Sequence, residues 1–110
     1  MAYDEVLADR VRELLEIESG VTEKAMFGGL AFLIDGHMVV AVSKEGGLML
    51  RVPPDETDEL LEHLHTSPMI MSGREARGWL RVAGAGIESR DELGDWVDRG
   101  VTHVRTLPPK

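Results

Sequence analysis

Apolar and polar residues change their spacing along this chain, and the changes mark its elements. Near the start Leu7, Val11, Leu14, Leu15 and finally Ile17 recur at helical intervals, with Glu5, Asp9, Arg12, Glu13 and Glu16 turned to water. Asp4 stands where a helix cap is wanted, and Ser19-Gly20 ends the pattern. From Ala25 to Ser43 two apolar runs flank Asp35-Gly36, a pair that favours a two-residue turn with positive φ at both positions. The spacing predicts a β-hairpin in which Ile34 faces His37, Leu33 faces Met38 and Phe32 faces Val39.

A second turn at Glu45-Gly46-Gly47 leads into Leu48-Met49-Leu50-Arg51-Val52, a third strand. With a two-residue turn there, one sheet face carries Met26, Leu30, Phe32, Ile34, Val39, Ala41, Leu48, Leu50 and Val52, and is the expected core. The other face carries Phe27, Ala31, Leu33, Met38, Val40, Val42 and Met49, with Lys44 and Arg51 at its margin. A three-residue turn would flip the third strand. A second apolar face on a small sheet is a surface that something covers, so Phe27, Leu33, Met38, Val40, Met49 and Arg51 form the candidate partner-binding face.

Pro53-Pro54-Asp55 breaks the strand pattern and opens a second helix, expected to run to about His65 and to bury Leu60, Leu61 and Leu64. Met69-Ile70-Met71 reads as a fourth strand, Gly73 to Arg77 as a loop, and Gly78-Trp79-Leu80-Arg81-Val82 as a fifth strand. Ser89-Arg90-Asp91-Glu92 is a capping box, after which Leu93, Trp96, Val97, Gly100, Val101 and Val104 line one helical face. Residues 105–110 are the expected tail. The order is α-β-β-β-α-β-β-α, an α+β, two-layer arrangement with one antiparallel sheet.

At 110 residues the chain is expected to be one domain over 1–110, large enough for its own core. It has no cysteine, which removes disulfides, thiolate metal sites and cysteine nucleophiles, and fits a cytoplasmic setting. No stretch has the length and apolarity of a membrane span or signal peptide. Twelve Lys and Arg against twenty Asp and Glu give a net charge of −8, which opposes autonomous binding to DNA or to anionic membranes. Arg74, Arg77 and Arg81 are the only basic cluster, and read as a solvated turn.

Candidate chemistry is sparse. Gly28-Gly29 lacks phosphate-loop spacing and reads as a bulge or a close backbone approach by a packed helix. The histidines at 37, 63, 65 and 103 lack ligand spacing, so no metal site is expected. The acidic pairs Asp55/Glu56, Asp58/Glu59 and Asp91/Glu92 suit first turns of helices, and Ser43, Ser67, Ser72 and Ser89 have no nucleophile context. No catalytic residue and no cofactor is expected. Five methionines, Met26, Met38, Met49, Met69 and Met71, fall on expected strands, where they serve as core filler or as an adaptable binding surface.

Lys24-Ala25-Met26-Phe27-Gly28-Gly29 leading into Phe32-Leu33-Ile34-Asp35-Gly36, followed by Leu48 to Val52, Ser67-Pro68-Met69, Gly78-Trp79 and Trp96-Val97, resembles the TfoX/Sxy family, and specifically its N-terminal domain. The resemblance covers nearly the whole chain. It implies an α+β fold similar to type III secretion chaperones and no catalytic residues. Named members are positive regulators of natural competence, acting with the cyclic-AMP receptor protein, and full-length regulators continue into a helical C-terminal domain. The expected function is therefore a small cytoplasmic regulatory domain working by protein contact, with the transcription machinery as candidate partner and a homodimer through the second sheet face. The alternative is a small-ligand binding domain or a hydrolase using a cleft beside Gly28-Gly29.

Overall fold

The structure, a computed structural model, describes residues 3–26, 28–44 and 46–108, with Met71 described for its backbone alone. Helix α1 spans Glu5–Leu14, and Asp4 caps it by accepting the Leu7 amide at 3.1 Å. Three strands follow, β1 at Val21–Met26, β2 at Gly29–Ile34 and β3 at His37–Val42, and then β4 at Leu48–Arg51. A 3₁₀ turn at Pro54–Glu56 runs into the short helix α2, Thr57–Leu60. Strands β5, Thr66–Met71, and β6, Arg74–Val82, precede the long helix α3, Arg90–Val104.

The six strands form one antiparallel sheet in the order β1-β2-β3-β4-β6-β5, and the α+β architecture expected from the pattern holds with one strand more. The additional strand is β1. It forms because the first apolar run is broken after Met26, so that Met26 pairs with Gly29 and Val21 with Ile34. Phe27 lies outside the described residues.

The Asp35-Gly36 turn has the two positive φ angles its sequence calls for, 51° and 87°, and Ile34 pairs with His37 and Leu33 with Met38. Beyond that the register departs from expectation. Phe32 pairs with Val40, not Val39, because Val39 is the extra residue of a β-bulge. One extra residue reverses the alternation, so Val40 and Val42 join Phe32 and Ile34 in the main core while Ala41 moves to the other face. The longer connection from Val42 to Leu48 restores the pairing, and Leu48, Leu50 and Val52 lie in the core as expected.

Helix α3 packs over β3 and β4 with Leu93, Trp96, Val97, Gly100, Val101 and Val104 buried, and its capping box is formed at both hydrogen bonds, 3.0 and 3.3 Å. Helix α1 lies beside it and contributes Leu7, Ala8, Val11 and Leu15. Arg10 joins the two by donating to the carbonyls of Ile87 and Glu88 at 3.0 and 3.1 Å. Each large side chain sealed between helices and sheet contributes about 1.5–3 kcal/mol.

Four expectations need correction here. Helix α2 stops at Leu60, with the chain continuing in turns, so Leu60 is buried and Leu61 partly so, but Leu64 is 80% exposed. Ile17 is likewise exposed. Gly73 to Arg77 is not a loop: Ser72-Gly73 form a tight turn, with φ of 51° and 79°, and β6 begins at Arg74. Residues 105–108, expected as tail, are tied to the body: Arg105 pairs with Glu18 at 2.9 Å and Asp35 at 3.4 Å, and the Pro108 carbonyl is 2.6 Å from His37 Nε2.

Candidate functional site

Helices α1 and α3 lie on the Phe32–Leu50 side of the sheet. The opposite side gathers a second, smaller apolar cluster: Ala31, Ala41 and Met49 are buried at its floor, with Met26, Leu33, Met38 and Met69 half-buried around them. Five strands, β1 to β5, contribute to it because alternation along each carries every second side chain to this face. Ala31 on β2 and Ala41 on β3 leave room beside them, which flexible thioether side chains are suited to fill.

The residues expected on a binding face separate on inspection. Leu33 and Met38 are cross-strand partners on this open face, and Met49 lies at its floor. Val40 does not belong there: the bulge at Val39 turns it into the main core, where it is fully buried. Phe27 lies outside the described residues. Arg51 pairs with Trp79 and sets its guanidinium 5.4 Å from that ring centroid, while its charge also lowers the His103 pKa from α3. It therefore sits at the rim of the sheet rather than at the centre of the face.

Sequence reasoning missed Lys24, Arg81 and Met69 as neighbours of this cluster. Lys24 pairs with Ala31 across β1 and β2, and Arg81 pairs with Met49 across β6 and β4. Arg81 also donates to Ser43 Oγ at 3.1 Å. Ser43, Lys44, Met49, Pro68, Met69, Ile70 and Arg81 line a cleft of about 380 Å³ here. The available signal was the methionine content of the strands; the missing link was that β6 inserts between β4 and β5, which brings Arg81 beside Met49.

The other candidates are dispersed. Gly29 is a close backbone approach, as expected, although the neighbour is a strand and not a helix: a Cβ there would collide with the Val42 carbonyl. Arg77 pairs with Asp58 at 3.2 Å, apart from the Arg81–Ser43 contact, so these two arginines of β6 have separate partners. His37 is buried and bonded through Nε2 to Pro108, and its Nδ1 has no hydrogen-bond partner among the described residues. His63 meets the Trp96 ring edge-on at 5.5 Å between centroids, and shares with His65, Glu92, Asp95 and Arg99 an open cleft of about 320 Å³. Among the described residues no three His, Asp or Glu side chains come together as a metal-binding group.

A further cleft, about 450 Å³, lies between α2 and the last turns of α3, lined by Pro53, Glu56, Leu60, Asp98, Arg99, Thr102, His103 and Thr106. Burial and the neighbouring Arg51 charge lower the His103 pKa, against the opposite pull of Glu56 and Asp55. The neutral imidazole is favoured there, with the Glu56 and Asp98 carboxylates and the Thr102 and Thr106 hydroxyls lining the same cleft. Among the described residues no helix is long and apolar enough to cross a membrane.

No curated protein matches the chain. The model of the TfoX N-terminal domain family matches residues 13–104, from the last turn of α1 to the end of α3, and the chain belongs to that family.

Proposed function

We propose that the chain is a small cytoplasmic regulatory module that acts by protein–protein contact through the helix-free face of its sheet, without a catalytic step of its own. The observation that supports this is the second apolar cluster, in which Met26, Leu33, Met38 and Met69 remain half-exposed around a buried floor. A regulatory role agrees with membership of the TfoX N-terminal domain family, and the transcription machinery is the partner class that the resemblance brings in. Self-association into a homodimer is the competing use of the same face.

The test is affinity capture from the native host with wild-type protein and with Met38→Gln, which keeps the side-chain length but makes the open face polar. The variant is expected to melt within a few degrees of wild type and to lose the retained protein. A helix-side variant, Asp98→Asn, is expected to keep it. Capture that survives Met38→Gln and is lost in Asp98→Asn would move the function to the cleft beside His103 and with it favour the small-ligand reading.

A further inference from the structure

Charge is segregated between the two sides of this molecule. The net charge is −8, and the helical side carries exposed carboxylates along α1, α2 and α3, among them Asp9, Glu13, Glu59, Asp95 and Asp98. Glu23 of β1 also points that way, since it bonds Arg12 of α1 at 2.7 Å. The open face is the reverse. At the sites that register and alternation assign to it stand Lys24, Met26, Ala31, Leu33, Met38, Ala41, Met49 and Arg81, and among the described residues none of these sites holds a carboxylate. Lys44 adds its charge at the cleft beside Met49 and Met69. Lys24 and Lys44 are exposed and have no carboxylate partner among the described residues, whereas Arg12, Arg77, Arg90 and Arg105 are all ion-paired.

We propose that the open face binds an acidic peptide segment of a partner protein, with an apolar side chain of that segment entering the cleft beside Met49 and Met69 and its carboxylates meeting Lys44 and Lys24. This rests on the protein-contact reading and names the chemistry of the partner. Lys44 at the methionine-lined cleft and Lys24 on the edge strand of the same face, neither paired to a carboxylate among the described residues, complement a chain that offers both apolar and negative groups, and exposed cations set specificity and encounter rate. A second copy of the same face is a poor match. In a two-fold pair each face meets itself, so Lys24 and Lys44 would be brought up against like charges. Duplex DNA would meet only a few cations here against a strongly negative whole.

The experiment is selection of random short peptides on phage against the wild-type protein, followed by fluorescence anisotropy of the enriched peptides. Enriched peptides are expected to be net negative with at least one Leu, Met or Phe. Their affinity should fall about tenfold or more in the Lys24→Glu/Lys44→Glu variant, and should weaken as salt rises. Both lysines are exposed, so the variant is expected to keep its melting temperature, and Lys24→Arg/Lys44→Arg should retain binding. Enriched peptides without net negative charge, or binding indifferent to the charge reversal, would overturn the proposal. So would a wild-type dimer in sedimentation that is tightened by the charge reversal, or equal binding of a short duplex DNA. If host capture still depends on Met38 while any of these outcomes holds, the acidic-peptide assignment fails and the protein-contact reading survives; if capture ignores Met38, that reading fails as well.

Discussion

Gly100 of α3 lies directly on Val39 of β3: a methyl group on its α-carbon would stand 2.9 Å from Val39 Cγ1 and 3.1 Å from the Val39 carbonyl oxygen. Leu50 Cδ1 would be 3.0 Å away on the other side. The helix can approach this closely only where it has no side chain, and the bulge at Val39 is the part of the sheet it approaches. Alanine normally favours a helix over glycine by about 1 kcal/mol. Here overpacking opposes that gain with about 1–3 kcal/mol, and a carbonyl oxygen cannot rotate away as a side chain can. Gly100→Ala is expected to lower stability by about 1 kcal/mol, and Gly100→Leu by about 3 kcal/mol, in urea melts. A Gly100→Ala variant more stable than wild type would show that α3 is free to lift from β3.

How much of this was legible in the sequence depends on how local each cause is. The Asp4 cap, the Ser89 capping box, the Asp35-Gly36 turn and the buried stripe of α3 are set by neighbours a few residues apart, and all stand as read. Strand β1 was missed because it is an edge strand whose central four residues are exposed, so Val21-Thr22-Glu23-Lys24-Ala25-Met26 has almost no apolar alternation to detect. The bulge was silent for the opposite reason. Met38-Val39-Val40-Ala41-Val42 is apolar throughout, and an unbroken apolar run gives no sign of which residue is the extra one. Its cost was the misplacing of Val40, Ala41 and Val42. The basic character of the open face was invisible because Lys24, Lys44 and Arg81 are far apart in sequence and come to one side of the sheet only through strand order and register.

Thr57 is a residue whose role only the tertiary structure reveals. Its Oγ1 accepts the Gly78 backbone amide at 2.9 Å and lies 3.3 Å from the Pro53 carbonyl, to which it donates, joining the start of α2 to β6 in a buried position. Thr57→Val preserves the shape but leaves the Gly78 amide without an acceptor, which costs about 1–3 kcal/mol. Thr57→Ser keeps the hydroxyl and is expected to recover most of that loss. Hydrogen exchange at the Gly78 amide should quicken in Thr57→Val and stay slow in Thr57→Ser. Equal exchange in both variants would remove the bond from the account.

Arg12 and Glu23 link α1 to the edge strand by two bonds of 2.7 Å, and this pair is a pH-sensitive support for β1. The hydrogen bond from Arg12 is the main cause of a lowered Glu23 pKa, with Arg12's charge adding to it against burial. A lowered carboxylate contributes stability that is fully present above its ordinary value near 4.5 and is lost as pH falls through the folded value. Both side chains are more than a third exposed or close to it, so screening limits the pair to about 0.5 kcal/mol. Glu23→Gln is expected to cost about that much at pH 7 in low salt, and nothing measurable at pH 3 or in about 1 M salt. A difference that persists at pH 3 would assign the effect to packing of the side chain instead of its charge.

His103 gives a second titration. Burial and then the Arg51 charge lower its pKa, while Glu56 and Asp55 pull the other way without cancelling them. The folded protein therefore holds this imidazole neutral at a pH where the unfolded chain has begun to protonate. By linkage, stability rises with pH wherever the unfolded state binds more protons. The contribution of His103 is thus complete above the ordinary value of 6.5 and is lost as pH falls through the folded value. Removing the cation in Arg51→Gln should move the His103 titration upward toward 6.5, read from its ring proton shifts by NMR, and flatten the fall of the melting temperature below neutral pH. His103→Asn, which cannot titrate, should abolish that part of the slope while leaving the Glu23 step at lower pH in place. An unmoved His103 titration in Arg51→Gln would mean that burial alone sets it, and that Arg51 spends its charge on the Trp79 ring at the sheet rim.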